Sequence, residues 1–178
     1  MRSFFLTLFS LVCFVGIAQV DTFQQDIINY LNLNGTGQQY GDAYDSMFEV
    51  LKETFEPANV PEKVWGELKN DRSESLNEVI SFLSFAYRKH FTQEEIATMT
   101  NFYKTEAAQK MLNPVTGPLS ETENVQIALY FESDVAKKVE AKLPELSVDI
   151  SEISQHWSKD LFQEKMLALL EKGYRPKQ

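Results

Sequence analysis

The chain has little of what staples or punctuates a small protein. Its one cysteine, Cys13, excludes an internal disulfide. Bulky Val12 precedes Cys13 and apolar residues follow it, which is not the setting of a lipid-anchored cysteine. Seven glycines and six prolines in 178 residues exclude a linker or a low-complexity chain. No stretch alternates apolar and polar residues for long, so paired strands are not expected. Only two histidines occur, His90 and His156, and no His-Glu-x-x-His or Gly-x-Ser-x-Gly is present. "NLNGTG" (32–37) has two glycines but lacks the Lys-Ser/Thr of a phosphate loop, and it follows a helical pattern, not a strand.

Positive charge is also scarce. Seventeen Lys and Arg face 26 Asp and Glu, a formal charge of −9. Such a surface repels phosphate backbones and anionic head groups, so neither nucleic acid nor a lipid surface is an expected partner.

What is there begins with an apolar run, "FFLTLFSLVCFVGIA" (4–18), behind Arg2. It is shorter than the roughly 20 residues a membrane span needs, and it ends in small residues. The expectation is a signal peptide, 1–18, cut after Ala18, and a periplasmic or secreted product without stable membrane insertion. The mature part, 19–178, would then lack cysteine and be one point more acidic through loss of Arg2. Its length suits one domain with a sizeable core.

Apolar residues in that part recur at steps of three and four, which predicts an all-α, single-domain multi-helix bundle. Helices are predicted over about 22–34, 40–55, 61–70 and 73–89, the last capped by Ser73. Leu76, Val79, Ile80, Leu83 and Tyr87 make one stripe of that fourth helix. Phe82, Phe85 and Ala86 widen it, which places the helix centrally. Two helices follow within 91–112. A long one is expected from about Glu121 to Lys142, ended by Pro144, and a last one from about Asp149 to Lys172, before Gly173.

The densest stretch is "FTQEEIATMTNFYKTEAAQKML" (91–112). Thr92 and Glu95 have the spacing of a capping box, and Phe91 with Ile96 that of a hydrophobic staple. Thr105 is suited to cap a second helix, so a bend is expected there. Ala108 is small enough for another helix to approach closely.

This segment resembles the central signature of a bacterial secreted family, domain of unknown function 2059. Phe102, Tyr103, Lys104 and Lys110 fit its pattern, with Thr105 in place of a Ser, Glu106 of a Pro and Ala108 of a Gly. "YLNLNGTGQQYGDAYDSMFEVL" (30–51) is similar to the family's N-terminal helix pair. The family-like core covers about 75–135. The resemblance implies an exported all-α domain and no particular activity.

Candidate chemistry weighs toward architecture. His90 precedes the Thr92 cap, where contact with helix-end carbonyls is expected. Glu152, His156 and Asp160 share one helix face, but three ligands on one helix seldom close a metal site, so a surface ion-pair line is expected. Asp42, Asp45, Glu49, Glu53 and Glu56 form a diverging acidic stripe, read as solvated and not as a calcium loop. Tyr103 is expected to bury its ring with a wet hydroxyl, and Lys110 to lay its stem over apolar surface. No catalytic, metal or cofactor residue is therefore assigned. Phe91, Thr92, Glu95, Ile96, Phe102, Tyr103, Thr105, Ala108 and Lys110 form a structural signature. The functional expectation is a non-enzymatic module that binds another protein of the cell envelope. The alternative is a carrier of an apolar small molecule or lipid, prompted by "VQIALYF" (125–131), which is apolar on many sides.

Overall fold

A computed structural model describes residues 21–177. The expected signal peptide lies outside the described residues. Those residues form an all-α fold of eight α-helices: α1 Thr22–Leu33, α2 Thr36–Thr54, α3 Glu62–Leu68, α4 Arg72–His90, α5 Gln93–Tyr103, α6 Glu106–Leu112, α7 Glu121–Phe131 and α8 Asp134–Glu171. None of the helices is long and apolar enough to cross a membrane.

The first corner is tighter than the sequence predicts, and α2 begins at Thr36, not near Tyr40. Gly35 takes φ +89°, a left-handed conformation that reverses the chain at once. Asn34 secures it, its side-chain oxygen accepting the Thr36 N–H at 3.0 Å. The fourth helix starts at Arg72, and Ser73 lies inside its first turn instead of capping it. Asp71 precedes that helix, but its carboxylate accepts from Tyr44 and Lys165 and makes no cap.

A larger correction concerns 121–172. The chain breaks at Glu132–Ser133, not at Pro144, which lies within the 38-residue helix α8. Ser133 has the chemistry of a helix start: its hydroxyl accepts the Ala136 N–H at 3.3 Å, and Asp134 follows at the positive dipole end. Pro144 faces solvent and removes a single helical N–H, while nearby Leu146 is buried in the core. Burial just beyond the proline holds the helix together across it.

Two apolar clusters make the interior. One gathers Ile27 and Leu31 of α1, Val79 and Leu83 of α4, and Ile96 and Met99 of α5. The other gathers Tyr44, Phe48 and Leu51 of α2, Trp65 of α3, and Leu161 and Leu169 of α8. Trp157 of α8 packs against both, and α8 thus runs along the whole body. Helix α7 differs, because none of its residues is buried.

Candidate functional site

The 91–112 segment is built as two helices joined at a bend. Thr92 Oγ accepts the Glu95 N–H at 3.3 Å, and Glu95 accepts the Thr92 N–H at 2.8 Å, the reciprocal cap that satisfies two orphan donors. Phe91 and Ile96 are both buried in the first cluster. Thr105 serves both helices of the bend. Its hydroxyl donates to the Phe102 carbonyl at 2.7 Å and accepts the Ala108 N–H at 3.2 Å. Ala108 is fully buried. Gln109 closes the corner by donating to the end carbonyls of Leu33 and Tyr103.

Around that bend the aromatic rings fill space. Phe102 stacks on Tyr130 of α7 with centroids 3.6 Å apart and planes 2° from parallel. Tyr103 sits edge-on to Tyr30 at 5.8 Å and to Tyr130 at 6.2 Å. Burial raises the phenol of Tyr103, and it pushes those of Tyr87 and Tyr130 up to about 12. None of these phenols is poised to give up its proton near neutral pH.

The signature lysine does something the sequence reading missed. Lys110 does not simply cover apolar surface: its ammonium contacts Glu106 at 2.9 Å and Glu123 of α7 at 2.7 Å. Glu95 likewise receives Lys138 of α8 at 2.7 Å. Burial alone would raise Glu95, but the Lys138 ammonium and the Thr92 N–H outweigh it and hold the carboxyl below its ordinary range. The signature residues therefore converge on helix ends and ion pairs. No group of three or more His, Cys, Asp or Glu among the described residues is arranged to hold a metal.

His90 also departs from expectation. Its side chain is buried, and Nε2 lies 3.0 Å from a carboxylate oxygen of Asp149, with Glu145 3.6 Å from Nδ1. A carboxylate from α8 takes the place of helix-end carbonyls because the end of α4 is pressed against that helix. Part of the acidic stripe on α2 is paired as well. Asp45 meets Arg72 at 2.9 Å and Lys69 at 3.5 Å, and Glu53 meets Lys177 at 3.0 Å.

A different place has the shape of a binding surface: a cleft of about 700 Å³ between α4 and α8. Ile153, Trp157 and Leu161, four residues apart on α8, line its floor, and the Trp157 indole donates to Ser75 Oγ of α4 at 3.0 Å. Glu152, His156, Asp160 and Glu164 stand one position earlier in each turn and form one rim. Glu74, Glu78 and Phe82, again four apart, form the other rim on α4. Phe82 and Phe85, expected to be inside, are 51% and 54% exposed. The stripe that Leu83 and Val79 bury is too narrow to include them. The expected ion-pair line through His156 is absent, since the histidine ion pairs among the described residues belong to His90.

Two of the lining residues, Asp71 and Glu164, are bonded to Lys165, whose side chain is buried and lies 2.9 Å from Glu164. Burial would lower this ammonium, but the two carboxylates outweigh it and raise it. Asp71 and Glu164 thus share one cation. Among the described residues, no Lys, Arg or His lies within ion-pair distance of Glu74, Glu78, Glu152 or Asp160. The sequence carried a signal for this site in the two offset four-residue rows on α8. What was not legible was that α4 lies opposite them with its own acids and an uncovered Phe.

Residues 78–114 match a protein family described as "Uncharacterized protein conserved in bacteria (DUF2059)". The matched stretch covers most of α4, all of α5 and α6, and the bend at Thr105. No curated protein and no solved structure matches the chain.

Proposed function

We propose that this protein is an exported, non-enzymatic helical module of the bacterial envelope, and that it binds another protein through the cleft between α4 and α8. The observation that carries this reading is the cleft's make-up. It joins an apolar floor to the half-exposed Phe82 on its rim, a combination that a merely solvated acidic face lacks. Export is supported by the apolar run 4–18 and its small-residue end. The polar groups of the 91–112 signature are occupied by caps and ion pairs, which leaves them little chemistry to offer a substrate.

The carrier alternative has less support. Beside α7, which carries the apolar stretch 125–131, the rings of Tyr30, Phe102, Tyr103 and Tyr130 pack against one another. The α4–α8 cleft is rimmed by carboxylates, which suit no lipid tail.

In the native host, a photo-crosslinking residue placed at Phe82 is expected to give a discrete protein adduct. The same residue at exposed Val50, in a separate surface cleft between α2 and α8, is the control. Adducts equal at both positions, or none at Phe82 with the protein folded and exported, would overturn the reading.

A further inference from the structure

Resting on the proposal that the α4–α8 cleft docks a protein, we infer the chemistry of the docked segment: a basic amphipathic helix of about three turns. Length comes first. Glu152 to Glu164 covers about 18 Å of α8 at about 1.5 Å per residue, and Asp71 to Phe82 covers a similar length of α4. Each wall is a single helix, so a third helix can lie along the trough between them.

The floor sets the buried face of the occupant. Ile153, Trp157 and Leu161 recur every four residues, so a helix with apolar side chains at i, i+3 or i+4, and i+7 meets them in register. Phe82 continues the apolar surface on the α4 side. The rims set the flanks. Glu74 and Glu78 stand on one side, Glu152 and Asp160 on the other, none with a cation at ion-pair distance among the described residues. An acidic or neutral helix would bring its flanks against these four carboxylates. A helix with Lys or Arg on both flanks supplies what the cleft lacks, and the chain's net charge of −9 steers such a partner toward it.

The test uses the full chain and a stapled 14-residue helical peptide with a leucine stripe flanked by lysines. Two control peptides accompany it, one with glutamates replacing the lysines and one with the same composition but a scrambled stripe. Calorimetry is expected to show binding of the first peptide alone, weakening with added salt. Glu74→Gln, Glu78→Gln, Glu152→Gln and Asp160→Asn together are expected to weaken it about 10-fold or more, since exposed ion pairs contribute modestly and these four sum. Phe82→Ser is expected to weaken it severalfold with an unchanged melting temperature.

Equal binding of the scrambled peptide, or of the acidic one, overturns the inference. So does spermidine binding as tightly as the peptide, which would give the rims to a small polycation, or self-association abolished by Phe82→Ser, which would give the cleft to a second copy. If no peptide binds while the Phe82 adduct persists in cells, the basic-helix assignment fails and the docking surface stands.

Discussion

The ammonium of Lys110 lies 2.7 Å from one carboxylate oxygen of Glu123, while the other oxygen accepts the backbone N–H of Ser120 at 2.7 Å. One side chain thus both starts α7 and ties it to α6. The Lys138–Glu95–Thr92 set does the same for α5 and α8. For α7 the arrangement matters more, because that helix buries no residue of its own. The Phe102–Tyr130 stack and this ion pair are its chief attachments.

The Lys110 ammonium and the Ser120 donors hold the Glu123 carboxyl down at about 2, against an ordinary value of 4.5. A carboxyl lowered on folding stabilises the fold fully above the ordinary value, and that stabilisation is lost as pH falls through about 2. Attachment of α7 should therefore survive mild acid. Carboxyl-detected NMR titration is expected to place Glu123 well below the exposed glutamates, and Lys110→Met should move it upward. A native midpoint near 4.5 would contradict the bond.

Helix caps should set the stability of the signature segment. Thr92→Ala removes one reciprocal cap and is expected to cost about 1 kcal/mol. Thr105→Ala should cost more, about 1–2 kcal/mol, because its hydroxyl also occupies the Phe102 carbonyl. Urea unfolding should show lower midpoints at unchanged slope. A smaller loss at Thr105 than at Thr92 would mean that the bend is held by Gln109 and ring packing instead.

The contrast between these residues and the cleft explains how much was legible. Thr92, Glu95, Thr105 and Ala108 act within a turn or two of their own position, so spacing alone reveals them. The helical class was equally open, since each helix carries its own apolar stripe. Ser133 was as readable as Thr92, but Pro144 drew the boundary to itself, although one lost hydrogen bond is outweighed by burial of Leu146 two residues on. Lys138 reaching Glu95, His90 reaching Asp149 and Phe82 facing α8 across the cleft depend on which helices become neighbours. No local pattern encodes that.

Asp71 is the hub of a pairing of this long-range kind, accepting from Tyr44 at 2.9 Å and from buried Lys165. Burial alone would raise its carboxyl, but the hydrogen bonds from Lys165 and Tyr44 outweigh that and leave it lowered. Asp71→Asn leaves Lys165 only Glu164 and is expected to cost about 1–3 kcal/mol at neutral pH. The loss should be complete above the ordinary carboxylate range and shrink as pH falls through the native value of Asp71, where the wild type loses the same interaction. Parallel urea curves across pH would check this. A penalty independent of pH would point to altered packing, not charge.

Pro144 offers the opposite sign. It faces solvent inside α8, lacks an N–H for the Glu140 carbonyl, and contributes no buried surface that the fold needs. Pro144→Ala restores the missing donor and replaces the worst helix former with the best, so a gain of about 1–3 kcal/mol is expected. The gain should register as a higher melting temperature and as slower amide exchange near residue 144. The rims at Glu152 and Asp160 lie two to four turns further along the same helix, so the two effects can be read together. Stabilisation with unchanged peptide binding would mean that the proline is a tolerated defect. Stabilisation with weakened binding would mean that the proline sets the angle at which α8 faces α4, and a loss of stability would mean that the proline is required for Leu146 to reach the core.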